Sequence, residues 1–115
     1  MKILVLGSGG QLGLCLRDQF KKTVNDLTYL PKEQLDITDF KTTSQAISSR
    51  TPDIVINLAA FTRVDRAESM PDLAHLINHA AVENIAVTCN QVDAWLIHLS
   101  TNFVFDGASS KTYTE

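Results

Sequence analysis

Residues 1–13, MKILVLGSGGQLG, run from a block of branched apolar side chains straight into four glycines spread over seven positions. Ile3, Leu4, Val5 and Leu6 read as a short strand covered on both faces, and the segment from Gln11 onward carries helical periodicity. A strand that ends in glycine and turns directly into a helix aims several backbone N–H groups and a positive helix end at one spot. That arrangement suits a pyrophosphate. Gly7, Gly10 and Gly13 have the G-x-x-G-x-x-G spacing, with Gly9 additional. The stricter G-x-G-x-x-G fails, because Leu12 stands where its last glycine would be. In this reading Gly7 permits the tight turn, Gly9 and Gly10 let phosphate approach the main chain, and Gly13 lets the helix pack close to the sheet. A plain flexible turn would show the same glycines; the strand before and the amphipathic helix after favour the dinucleotide site.

The rest of the chain repeats the alternation. Apolar runs at 3–6, 27–30, 54–60 and 95–100 are separated by polar or helically periodic stretches, which is βαβ spacing. Gln11 to Lys22 puts Leu12, Cys15, Leu16 and Phe20 on one stripe, and Thr38 or Asp39 can cap a helix running through Ala46 and Ile47 toward Arg50. The longest helix is expected from Pro71 or Asp72 to about Gln91. It should turn Leu73, Leu76, Ile77, Ala80, Ala81, Ile85, Ala86 and Cys89 inward, with Pro71 in the first turn. Gly107 to Ser110 reads as an exposed loop. The expectation is an α/β fold, a Rossmann-type doubly wound parallel sheet truncated after about the fifth strand.

At 115 residues the chain can build one core and not two comfortable domains, so residues 1–115 are read as one domain. A hydrophobic content of 44% argues against disorder, and net charge −3 with scattered Lys and Arg leaves no footprint for a nucleic acid backbone. No run reaches the ~18 apolar residues of a membrane span, and the first residues lack the pattern of a secretory signal. No membrane partner and a cytoplasmic location are therefore expected. Cys15 and Cys89 form no C-x-x-C and fall in expected helices, so they read as reduced thiols acting as small hydrophobes.

In a dinucleotide-binding βαβ unit an acid at the end of the second strand holds the ribose 2′-hydroxyl. Here that strand runs into YLPKEQ, with no carboxylate closing it. Lys32 could meet a 2′-phosphate or face water, and Glu33 is a fallback acid, so NADPH and NADH both stay open.

Four separated motifs, GSGGQLG, LDITD, PDIVINLAAFTRVDRAES and WLIHLSTNFVFDG, resemble in order and spacing the dTDP-4-dehydrorhamnose reductases, members of the extended short-chain dehydrogenase/reductase group. The likeness covers essentially the whole chain. It implies a Rossmann-type domain that uses NADPH or NADH to reduce the 4-keto group of a dTDP-4-keto-6-deoxy sugar. By this resemblance Gly7, Gly10, Gln11, Leu12 and Gly13 line the pyrophosphate turn, Asp36 and Ile37 lie by the adenine, and Leu58, Ala59, Ala60 and Thr62 follow the cofactor's phosphates and ribose. Val64 would face the substrate side. Thr101 would supply the hydroxyl that polarises the reacting carbonyl.

A hydroxyl at Thr101 cannot by itself supply the proton. In the group that task belongs to the tyrosine of a Y-x-x-x-K motif, yet Tyr29 is followed four residues later by Glu33, and Tyr113 only by Thr114 and Glu115. The expectation is therefore an incomplete domain, with the catalytic tyrosine and the substrate-binding region absent and the chain inactive alone. The family reads S-T-D-Y-V-F-D-G where this chain reads STNFVFDG, so Asn102 replaces an acid and Phe103 loses a phenol beside the substrate. A second expectation is a non-catalytic module that self-associates through the sheet edge at residues 95–100.

Small residues from Asn57 to Ala60 leave room for a ligand at a strand end, although close packing would explain Ala59 equally well. His75 and His79 lie one helical turn apart without a third ligand, so no metal is expected. His98 reads as a hydrogen-bonded neutral imidazole in a buried strand. Asp65, Glu68 and Asp72, with Arg63 and Arg66, read as charges complementing a helix start.

Overall fold

The computed structural model describes residues 1–21, 26–60 and 70–99. Four strands, β1 (Lys2–Leu6), β2 (Asp26–Leu30), β3 (Ile54–Asn57) and β4 (Trp95–His98), make one all-parallel sheet in the order β2-β1-β3-β4. Helix α1 (Gln11–Phe20) joins β1 to β2, and α2 (Phe40–Arg50) joins β2 to β3. Before β4 lie α3 (Pro71–His75), a π-helical turn at Leu76–Ala80, and α4 (Ala81–Gln91). This is the Rossmann-type α/β architecture expected. The chain moves from β1 to β2 on one side and then returns to β3 on the other. With right-handed crossovers the two directions put α1 on one face of the sheet and α2 with α4 on the opposite face.

Period-two geometry sorts the strand residues between those faces. Leu4, Leu6, Leu30 and Val55 point to the α2/α4 face, where they join Ile47, Ala81, Ile85 and Cys89 in the buried core. Leu35 and Ile37, in the connection after β2, complete it. Burial pushes the Cys89 thiol above its ordinary pKa, which fits its reading as a small hydrophobe. Ser44 of α2 reaches Asn84 Oδ1 at 3.1 Å and Thr88 Oγ1 at 3.0 Å, and Asn84 Nδ2 donates to the Phe40 carbonyl at 3.2 Å. These bonds fix the two helices against each other.

Of the two expected cap candidates for α2, Thr38 and Asp39, the structure uses Asp39. Asp39 accepts from the Thr42 N–H at 3.1 Å and from its hydroxyl at 2.7 Å. The helix stops at Thr51, which takes the left-handed conformation at φ 42° and sends its N–H to the Ile47 carbonyl, just before Pro52.

Four expectations need correction. The α1 stripe is not a buried one: Leu12 and Cys15 are exposed, Leu16 and Phe20 are half-buried, and Gly13 is the buried residue, because the helix packs through its glycine onto the backbone of Ser8 in the preceding turn. Strand β3 ends at Asn57 and not Ala60, because the Asn57 side chain caps the chain there by accepting from the Ala59 N–H. The long helix is broken by its π turn, and Ala86 faces solvent. Strand β4 ends at His98 and is not covered on both faces: Trp95 is 78% and Ile97 48% exposed, whereas Val5, on the same face two strands away, is 1% exposed. Ser100 and Gly107 to Ser110 lie outside the described residues.

Candidate functional site

In an open parallel sheet the ligand crevice lies beyond the carboxyl ends of the strands, at the point where strand order reverses. Here that point is between β1 and β3, and a cavity of about 670 Å³ opens there. Its volume falls in the ~300–1,000 Å³ range of small-molecule and cofactor sites.

The glycine turn forms one wall. The Gly7 and Ser8 N–H groups donate to the Leu30 carbonyl at 3.0 and 3.4 Å, which ties the turn to the end of β2. Gly7 has φ +70°, and a Cβ there would stand 2.5 Å from the Ala59 nitrogen, so both the conformation and the approach of the β3 loop require glycine. Gly13 is equally committed, to the backbone of Ser8 rather than to the sheet. At Gly9 the near neighbour is Pro31, 3.3 Å from where a Cβ would be. Gly10 alone has nothing within 4 Å on that side, and it lines the cavity.

The start of α1 is built for an anion. Gly10 is its N-cap residue, no side chain caps the turn, and no acid occupies the first turn. The N–H groups that begin the helix therefore keep their hydrogen-bonding capacity for a ligand, reinforced by the helix dipole. With Gly10 open beside them, the donors suit a pyrophosphate and the cradle has room for one.

On the β2 side Lys32, Glu33, Asp36 and Ile37 line the cavity. The Asp36 carboxylate is engaged: its Oδ1 accepts from the Thr38 N–H at 3.0 Å and the Thr38 hydroxyl at 2.7 Å. Those bonds, the backbone one foremost, hold its pKa below the ordinary carboxylate value. Lys32 makes no ion pair among the described residues.

On the far side stand Leu58, Ala59 and Ala60 from the end of β3, Ile77 and Asn78 from the π turn, and His98 and Leu99 from the end of β4. Asn57 is 1% exposed and organises this side: its Oδ1 accepts from the Ala59 N–H at 3.1 Å and its Nδ2 lies 3.2 Å from His98 Nδ1. Burial pushes the His98 imidazole below its ordinary pKa, favouring the neutral ring.

Eleven residues expected to hold a cofactor thus line one cavity: Gly7, Gly9, Gly10, Gln11, Leu12, Gly13, Asp36, Ile37, Leu58, Ala59 and Ala60. Thr62, Val64, Thr101, Asn102 and Phe103, like the charges at 63–68, lie outside the described residues. Sequence reasoning did not place Leu35, Ile77, Asn78 or Leu99 at the site. The π turn that brings Ile77 and Asn78 there has no sequence signature, although such turns recur near functional sites. His75 and His79 stack with ring centroids 4.8 Å apart, and among the described residues no group of three His, Cys, Asp or Glu could hold a metal. No helix among them is long and apolar enough to cross a membrane.

The same fold occurs in known proteins. Over 99% of its length the chain is 39% identical to the spore coat polysaccharide biosynthesis protein SpsK of Bacillus subtilis (strain 168), covering 40% of that protein. The crystal structure of a dTDP-4-dehydrorhamnose reductase from Clostridium acetobutylicum superimposes with a TM-score of 0.90 at 36% identity, over 100% of this chain and 41% of that one. The dTDP-4-dehydrorhamnose reductase of Bacillus anthracis, crystallised in complex with NADP, gives 0.86 at 36% identity over 94% of this chain and 39% of that one. The chain spans about two fifths of the length of these relatives. The family described as the RmlD substrate binding domain matches residues 1–115 of this chain, the whole stretch that carries the turn and the cavity, and the chain belongs to that family.

Proposed function

We propose that this chain is the amino-terminal, cofactor-holding part of a dTDP-4-dehydrorhamnose reductase, a cytoplasmic oxidoreductase of nucleotide-sugar synthesis that reduces a dTDP-4-keto-6-deoxy sugar with NADPH or NADH. The observation that carries the reading is the conjunction at Gly10: an open glycine on the cavity wall at the start of an uncapped helix. Gly7, Gly9, Gly10, Gln11, Leu12 and Gly13 would hold the pyrophosphate. Asp36 and Ile37 would flank the adenine, and Leu58, Ala59, Ala60 and Thr62 the ribose and phosphates. Bound there, the dinucleotide supplies the hydride for carbonyl reduction.

Thr101 would hydrogen-bond the reacting carbonyl, with Val64, Asn102 and Phe103 toward the sugar. A proton must also reach the developing alkoxide. Tyr29 is followed at the fourth position by Glu33 and not by lysine, so residues 1–115 alone are read as binding cofactor without turning substrate over. Lys32, on the cavity wall and free of ion pairs among the described residues, is the counter-charge available to a 2′-phosphate, and Glu33 beside it opposes that preference. Saturable binding of NADPH or NADH at one site per chain, followed by nicotinamide fluorescence, tests the proposal; no saturable binding of either would defeat it.

A second reading rests on β4. Trp95 and Ile97 alternate along it on one face and are 78% and 48% exposed. Such an edge favours association with a second copy. Sedimentation as a monomer at tens of micromolar would exclude it.

A further inference from the structure

The two ends of the cavity are asymmetric in charge and in donors. Lys32 and Asp36 stand past β2, while His98 closes β4. Neighbouring strands are about 4.8 Å apart, so three strand intervals separate the two ends by about 14 Å. A dinucleotide laid across the switch point, with its pyrophosphate on the glycine turn over β1 and its adenosine toward β2, sends its nicotinamide half toward β3 and β4.

The protonation of His98 at that end is fixed by a chain of two hydrogen bonds. Because Asn57 Oδ1 accepts from the Ala59 N–H, the group facing His98 is the amide nitrogen Nδ2, which can only donate. His98 Nδ1 must then accept, so the neutral ring carries its proton on Nε2. Nδ1 is engaged within the protein, whereas Nε2 has no hydrogen-bond partner among the described residues, and the ring lines the cavity. The buried Asn57 thus uses both ends of its amide to hold a donor in place.

We infer that His98 presents its Nε2–H to an oxygen of the nicotinamide riboside half of the bound dinucleotide. His98 contributes to the hold on that half and not to the hold on the adenosine half. The inference rests on the dinucleotide reading of the site and adds to it a residue and an orientation.

Two-dimensional NMR of the isotope-labelled chain, titrated separately with NADPH and with 2′,5′-ADP, tests it. The Gly10 amide reports the phosphate turn and the His98 ring nitrogens report the far end. Before ligand, the ring should show the Nε2–H tautomer. NADPH should shift both Gly10 and His98 Nε2, and 2′,5′-ADP should shift Gly10 alone. His98→Phe should weaken NADPH about tenfold, the usual effect of losing one hydrogen bond, and leave 2′,5′-ADP unchanged; His98→Gln, which keeps an N–H donor of similar reach, should restore part of the loss.

Equal weakening of both ligands by His98→Phe would mean a packing role and overturn the inference. A Gly10 response to NADPH without a His98 response would also overturn it, while leaving the dinucleotide site standing. No response at either residue to saturating NADPH would overturn both.

Discussion

A Cβ built on Gly13 would lie 2.6 Å from both the carbonyl carbon and the Cα of Ser8. The first turn of α1 therefore rests directly on the backbone of the turn that precedes it, and the N–H groups aimed at the cavity inherit their position from that contact. Neither neighbour can give way, since both are main chain. Gly13→Ala should cost about 1–3 kcal/mol through overpacking, whereas Gly10→Ala, with open space on that side, should cost only a fraction of this. Urea unfolding of the two variants checks the contrast; equal losses would contradict it.

Thr51 ends α2 at φ 42°, a conformation that costs a β-branched residue about 1–2 kcal/mol. Glycine is the residue that such helix ends favour. Thr51→Gly should raise stability by up to about 1 kcal/mol, part of the relief being offset by the added freedom of the unfolded chain. A thermal melt at or below that of the parent chain would count against this account of the α2 terminus.

The centres of the strands, the Asp39 cap and the glycine turn were legible in the sequence because each is local. The Ile3–Leu6 block, Asp39 before its helix and the glycine spacing carry their geometry within a few residues. The stripe on α1 misled because periodicity says which residues share a face and not whether that face is covered. With Gly13 bearing the contact, Leu12 is left at the cavity and Cys15 at the surface. Asn57 ends β3 through its own side-chain bond to the Ala59 N–H, while its other amide end meets His98, 41 residues away, and the π turn redirects Ile77 and Asn78 with no residue type to announce it. Eleven cavity-lining positions could be read from motifs; the place of His98 at the β4 end required the sheet to be assembled first.

Acid should weaken the fold in two stages. Burial lowers the His98 pKa, so below about pH 6.5 the unfolded chain takes up a proton that the folded chain refuses, and stability begins to fall. Bonds to Thr38 and Thr42 lower the pKa values of Asp36 and Asp39. Their contribution is intact above about pH 3.9 and is lost as pH drops through their lower folded values. Denaturant midpoints at about pH 7.5, 5.5 and 3.5 should fall in that order, and His98→Asn should flatten the first interval. An unchanged midpoint between the first two pH values in the parent chain would refute the role given to His98.

Lys32 lines the β2 end of the cavity, where the proposed function puts the adenosine. Lys32→Ala should weaken NADPH by about 1.5–3 kcal/mol, the range for a hydrogen bond to a charged group, and leave NADH within a factor of two or so. Titration of both cofactors against the variant decides it. An equal loss for both would place Lys32 away from the 2′ position.

The central claim is that the glycine turn holds the pyrophosphate of a nicotinamide dinucleotide, and calorimetric titration of the 115-residue chain with NADPH and NADH, alongside Gly10→Glu, tests it most directly. The substituted side chain would put a carboxylate and its bulk into the open side of the cradle without touching packed backbone, so the variant should fold as the parent does. The predicted result is one-site binding by the parent chain that the variant abolishes. Undiminished binding by a folded Gly10→Glu chain, or none by the parent, would contradict the claim.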